Sequence, residues 1–267
     1  MDSSVKDIVR KINYLTPSRY ISGRIVEYDI KSANISILKD SGRITEDDFL
    51  FLKNLPKLQR EIEIGLRERK DPSIYKSIQE GIIKAKENLV DFNDINEDQI
   101  VRIANDAVYI NNVSDLKYTK FGNYVEFKQK STYDIYLNLM GVIVLLKYLD
   151  NGDIDVDIKG LGKNMDLHKN YMINTIVYTV LLLERAGVES ALDHLSEICE
   201  KYLKRELDVN YYREFNPTSM FRLINNTSLG LYSISNEYKN IVDINYNYSI
   251  LRELWSILVE IYSLRAK

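Results

Sequence analysis

Hydrophobic periodicity changes character along this chain, and the change restricts the fold more than any other feature. Short strand-type runs alternate with helix-period segments through the first half, and helix-period segments dominate the second. Arg24–Ile30 (RIVEYDI) is apolar and β-branched and reads as a strand. Lys31–Lys39 places Ala33, Ile37 and Leu38 at helical spacing. Thr45 with Asp48 three residues on marks a helix start. The stripe Phe49, Leu52, Leu55, Ile62 and Leu66 follows, broken at Pro56. Ser73–Leu89 predicts a second helix, with Ile74, Ile78, Ile82 and Ala85 on one face. Gln99–Ala104 and Ala107–Asn111 read as strands around the polar pair Asn105–Asp106, and Tyr124–Lys128 reads as a further strand. Tyr133–Leu149, Asp166–Ala186, Glu189–Leu207 and Tyr248–Ala266 are the expected helices of the second half, with Gly152–Gly162 a short alternating segment.

The chain has 267 residues, 45% of them hydrophobic, which supports a packed core, and only 11 Gly and 4 Pro, which argues against long flexible linkers. A net charge of −3 excludes a tail-driven, histone-like nucleic-acid binder and leaves room for a local basic groove. The single Cys199 excludes an internal disulfide framework and a Cys-based zinc site, and it fits a reducing cytoplasm. With only His168 and His194, a His-rich metal cluster is excluded as well. Met1–Tyr20 has no signal-peptide core. The apolar runs Ile135–Leu149 and Tyr171–Leu183 are shorter than the ~18–20 residues of a bilayer span. A cytoplasmic location without a membrane partner is expected.

Two acidic positions stand where chemistry can occur. Asp29 ends an apolar strand, and Asp106 sits at the tip of a strand–turn–strand. Two carboxylates held side by side at a sheet edge can bridge a pair of Mg²⁺ ions, which activate an attacking oxygen and stabilise a leaving one. The same residues also suit simpler roles, Asp29 capping the next helix and Asp106 serving a hairpin turn.

Several segments, taken in order, resemble the palm and thumb of a family B nucleic-acid polymerase. The family's first palm motif, Asp-x-x-Ser-Leu-Tyr-Pro-Ser-Ile, is similar to Asp29-Ile30-Lys31-Ser32-Ala33-Asn34-Ile35-Ser36-Ile37, with Asp29, Ser32, Ser36 and Ile37 matching. A helix with a triphosphate-contacting Lys resembles Gln79–Lys84, followed by Asn88. The Asp-Thr-Asp-Ser motif and its apolar strand correspond to Ala104-Asn105-Asp106-Ala107, so Asp106 matches the family's metal-binding Asp. Lys147-Tyr148 and Lys159-Gly160 fall where the family has Lys-Tyr and Lys-Gly elements. Departures are Ala104 for the first Asp of the third motif, Asn34 for the sugar-gating Tyr, Ile35 for Pro, and no Asn-Ser-x-Tyr-Gly element. With the first palm strand near residue 24, the exonuclease domain has no room, so editing is absent or a partner chain supplies missing domains.

The resemblance implies an α+β fold: a polymerase-like palm, an antiparallel sheet with packed helices, over residues 1–132. Fingers-like helices are inserted at about 45–90, and residues 133–267 form a mostly helical thumb-like region. It implies template-directed nucleotidyl transfer with Mg²⁺ or Mn²⁺ on Asp29 and Asp106. Nucleotide contacts fall to Lys84, Arg60, Lys57, Asn34 and Ser32, and primer–template contacts to Lys128, Lys147 and Lys159. The alternative is a catalytically inactive, polymerase-derived module that binds nucleic acid or protein, which Ala104 and the missing element favour.

Local charge agrees with either use. Residues 53–87 hold nine basic and six acidic side chains, and Lys117, Lys120, Lys128 and Lys130 form a second basic cluster. A solvated helix face and a charged sheet edge would give the same patterns. Few Gly and Pro with many Ile, Asn, Lys and Tyr suggest an AT-rich genome, that of a bacterium or its phage.

Overall fold

The computed structural model describes residues 3–204 except 19, 140–141 and 161–168, together with 206, 259 and 262–263. The chain divides into two compact units, Met1–Ile135 and Tyr136–Lys267.

The first unit is an antiparallel sheet with helices on one face. Its strands are β1 (Asn13–Leu15), β2 (Tyr20–Ile30), β3 (Ile100–Ala104), β4 (Ala107–Asn111), β5 (Lys120–Phe121) and the first part of β6 (Val125–Leu139). The spatial order is β1-β3-β4-β2-β6, with β5 paired to β6. Its helices are α1 (Ser3–Val9), α2 (Ala33–Asp40), α3 (Glu46–Asn54), α4 (Lys57–Lys70) and α5 (Ser73–Phe92). Alternation on the strands decides which side meets the helices. Val26, Tyr28, Ile30, Ile103, Val108 and Ile110 join Ile37, Leu52, Ile64, Ile78, Ile82 and Leu89 in one buried core.

Local signals place the helices. Thr45 caps α3 through a reciprocal capping box with Asp48. Asp48 also takes Arg67 Nη2 at 2.7 Å, which ties α4 to α3. Pro56 separates these two helices, as its missing N–H and fixed φ require. α2 and α5 approach closely because Gly81 has no side chain; any β-carbon there would collide with Ile37. The polar pair Asn105–Asp106 is the two-residue turn between β3 and β4, closed by the Ala104–Ala107 pair. Asn105 adopts φ 44°, a left-handed conformation that Asn tolerates better than most residues.

The second unit holds the end of β6, then β7 (Val142–Tyr148), β8 (Ile154–Lys159), α6 (Lys169–Ala186) and α7 (Val188–Lys204). β7 and β8 form an antiparallel hairpin running from Ile143–Lys159 to Tyr148–Ile154. Gly187, at φ 87°, turns the chain between α6 and α7, which bury Ile176, Val180, Ala191, Leu195 and Cys199.

One expected helix is overturned. Within Tyr133–Leu149 the described residues up to Leu139 and Val142–Tyr148 are strand, not helix, so the described part of the second unit is mixed rather than mostly helical. The run Val142–Leu146 is buried at every position, a pattern that periodicity alone cannot assign. Its β-branched Val and Ile, and the alternating Tyr133, Ile135 and Leu137 before it, fit a pleated surface better than a helix. The expected helix Tyr248–Ala266 lies almost wholly outside the described residues.

Candidate active site

Strand β2 presents Glu27 and Asp29 on the face away from the helical core, opposite Tyr109 and Ala107 of β4. The turn bearing Asp106 is fastened to the same end of the sheet: Ile30 donates its N–H to the Asp106 carbonyl at 3.1 Å. Two acidic residues 77 positions apart in sequence thus share one end of the sheet. Partial burial, and next the charge of Asp106, push the Asp29 carboxyl above its ordinary range, and Lys130 opposes both.

Lys130 on β6 is the cation of this cluster. Its Nζ lies 3.0 Å from Glu27 Oε1 and 3.5 Å from Asp29 Oδ2. Glu27 is 2% exposed, and the Tyr133 hydroxyl donates to its other oxygen at 3.1 Å. The hydrogen bond to Glu27 raises the Lys130 pKa. Burial, reinforced by Glu27, likewise drives the Tyr109 hydroxyl well above the phenol range. Asp29 differs from Glu27 in one respect: its Oδ1 is buried and has no hydrogen-bond partner.

A second lysine stands on the helical side of the same turn. Lys86 of α5 is 1% exposed and donates from Nζ to the Lys11 carbonyl at 3.0 Å. Burial lowers its pKa to about 8, against a smaller opposing pull from Asp106. The segment it holds also accepts the Asn105 N–H through the Ile12 carbonyl at 2.7 Å, so Lys86 helps to brace the Asp106 turn.

The donor set suits a hard divalent cation. Asp29 offers a carboxylate oxygen without a hydrogen-bond partner, close enough to the Asp106 turn to feel its charge, and Mg²⁺ is commonly held by one or two carboxylates with water and substrate phosphate completing its shell. Among the described residues no group of three or more His, Cys, Asp and Glu side chains is arranged to hold a metal ion. Any ion here would therefore depend on substrate oxygens.

The other expected contacts are distributed more widely. Ser32 sits just before α2 at φ 50°, three residues after Asp29, and its carbonyl accepts the Ser36 N–H. Asn34 donates to Glu61 Oε2 of α4 at 2.9 Å. Arg60 is half-buried and Lys57 exposed, both on α4. Lys84 is exposed on α5 and lines a pocket of ≈ 150 Å³ with Ile37, Asp40, Ser41, Asn88 and Phe121; Asp29 and Asp106 do not line it. Lys128 is exposed on β6. Lys147 and Lys159 belong to the second unit, where Lys147 faces Asp155 in register and Lys159 Nζ lies 3.1 Å from Asp157.

Glu27, Lys86 and Tyr133 were not legible as site residues. Lys86 did carry a signal, since it follows Ile78 and Ile82 at intervals of four and so shares their buried face. His194 packs edge-on against Tyr178, and burial lowers its pKa; His168 lies outside the described residues. Cys199 is buried, which raises its thiol pKa.

Among the described residues no helix is long and apolar enough to cross a membrane. A comparison with curated proteins finds no significant match. A family model described as Bacteriophage PBS1 gene 130 protein matches residues 5–260, nearly the full length. The chain belongs to this phage protein family, which agrees with the source suggested by its AT-rich composition.

Proposed function

We propose that this protein is a template-directed nucleotidyltransferase whose Asp29 and Asp106 hold the catalytic metal ions. The observation that carries the reading is the unpaired, buried Asp29 Oδ1 at the end of the sheet to which the Asp106 turn is hydrogen-bonded through Ile30. The arrangement around it supports the same reading. A hairpin with a carboxylate in its turn lies beside a strand that ends in another, and the helices between them pack on the opposite face. This is the placement that a polymerase-like palm calls for.

When bound, Mg²⁺ or Mn²⁺ would activate the 3′-hydroxyl and neutralise charge on the leaving pyrophosphate. The chain's own residues would do the positioning. Asp29 and Asp106 would hold the ions at the strand end. Glu27, sealed against Lys130 and Tyr133, keeps the Lys130 ammonium within reach of Asp29 before a cation enters. Lys84, Arg60 and Lys57 serve the triphosphate, Ser32 and Asn34 the nucleotide beside Asp29, and Lys128 the primer–template backbone.

The test is primer extension with Mg²⁺ or Mn²⁺ and labelled dNTPs or rNTPs. Extension by the wild type that disappears in Asp29→Ala and Asp106→Ala supports the proposal, and no extension under any of these conditions refutes it. A second reading, an inactive binding module, is favoured by the Lys130 ammonium already seated against Asp29. It predicts nucleic-acid binding that neither alanine variant changes.

A further inference from the structure

Helix α4 carries its apolar stripe on the outside. Leu58, Ile62 and Leu66 recur every four residues and so share one side of the helix. Ile64 is its buried anchor and lies on the opposite side, in the core. Leu58 is 73% exposed, Ile62 53% and Leu66 43%. Leu50 and Phe51 of α3 are exposed as well, and the Asp48–Arg67 pair holds α3 to α4. A surface helix ordinarily turns such a stripe to the core. Single apolar side chains on a surface call for no explanation. Five on one helical hairpin make a patch of the few hundred Å² that monomers rarely expose in one piece.

Gly65 is a second sign of a missing neighbour. It borders the stripe in the middle of α4, where glycine weakens a helix, and a β-carbon there would meet no described residue. Gly81 has its reason inside the fold, in Ile37. Gly65 has none among the described residues, and a bare backbone on an apolar stripe suits the close approach of another helix.

The stripe reads the same in both directions about Ile62, so its natural complement is itself. A two-fold axis at Ile62 lays α4 antiparallel on a second α4. Leu58 then packs beside the partner's Leu66 and over the partner's Gly65. Arg69, exposed and seven residues beyond Ile62, reaches the partner's Leu55 at the C-terminal end of α3, where a cation is favoured. Two such hairpins form a four-helix layer and bury on the order of 1,000 Å² in total, the lower bound for a specific interface. Glu61 and Glu63 lie near their own mates on either edge of the axis, and this like charge keeps the affinity modest.

We infer that two copies of this chain associate through the outer faces of α3 and α4, antiparallel about Ile62. Lys57 and Arg60 lie on other sides of α4, so the inference stands apart from the nucleotidyltransferase reading.

The experiment is sedimentation equilibrium of the full chain, with cysteine cross-linking as its second arm. The wild type should pass from one chain to two in mass between about 1 and 100 μM, and Ile62→Glu should weaken association at least tenfold. Cross-linking carries the test if Ile62→Glu fails to fold, and the chain's own thiol, Cys199, is buried. Ile62→Cys should cross-link to itself, and Leu58→Cys should cross-link to Leu66→Cys when the two variants are mixed. Leu58→Cys alone should not, because its two copies stand about 12 Å apart along the helix axis. A wild type that stays a monomer throughout overturns the inference, including one that doubles its mass only with a different protein. A dimer that a folded Ile62→Glu leaves unchanged, or Leu58→Cys that cross-links to itself as readily as to Leu66→Cys, overturns it too.

Discussion

Asp29 is held in a state that works against the fold. Its pKa is raised by burial and by Asp106, so the folded chain binds a proton there more readily than the unfolded one. Between the ordinary Asp value of 3.8 and the raised value, unfolding releases protons, and stability falls as pH increases. Above that window the penalty is fully present, and below it the penalty is gone. Asp29→Asn should therefore raise the thermal midpoint at pH 7 while abolishing extension. A calorimetric scan beside the extension assay checks both; a lower midpoint would show that the Lys130 contact outweighs the burial cost. Lys86 gives the converse case. Its proton is lost at about 8 in the fold, against 10.5 when free. Wild-type stability should therefore rise relative to Lys86→Met from about pH 8 to 10.5, measured as urea midpoints, and run parallel to it below pH 8. Asp29 and Asp106 were visible in the sequence because strand ends and turn tips are positions where carboxylates stand out. Glu27 was not. In RIVEYDI it reads as an ordinary alternating residue, and its burial depends on Lys130 and Tyr133, 103 and 106 residues away.

At the level of elements, local chemistry was the legible part. The Thr45–Asp48 box, the Pro56 break and the Asn105–Asp106 turn each act within a few residues, and each is where the sequence put it. The segment from Tyr133 to Leu149 failed because its fate is tertiary. A fully apolar run such as Val142–Leu146 satisfies a buried helix and a buried strand equally, and the choice is made by pairing with Ile154–Lys159 and by packing, not by the run itself. Contact between α2 and α5 was equally hidden, since a mid-helix Gly reads only as a weakness until its neighbour is known. Gly81→Ala raises helix propensity and should still destabilise the protein, by about 1–3 kcal/mol, because the new methyl meets Ile37. Combining it with Ile37→Ala should recover part of that loss. Chemical denaturation of the two single variants and the double variant measures the coupling, and additive losses would mean the helices separate without cost.

For the whole molecule, a net charge of −3 says little until charges are located. The β7–β8 hairpin carries Lys147 and Lys159, the residues that the polymerase resemblance assigns to the primer–template. It also carries or adjoins Asp150, Asp153, Asp155 and Asp157. Lys159 pairs with Asp157 at 3.1 Å, Lys147 stands opposite Asp155 in register, and the four Asp outnumber the two Lys, so the hairpin is net negative. A polyanion gains little there, because counterion release requires cations that are not already neutralised. Lys128 differs: it is exposed on β6, two residues before the Lys130 that reaches Glu27 and Asp29. Salt titrations of primer–template binding should therefore separate the three residues. Lys128→Met should lower the slope by about one, whereas Lys147→Met and Lys159→Met should leave it within error of the wild type. A slope that falls equally for all three would show that the hairpin exchanges its carboxylates for phosphate on binding, and would restore Lys147 and Lys159 to the nucleic-acid contact.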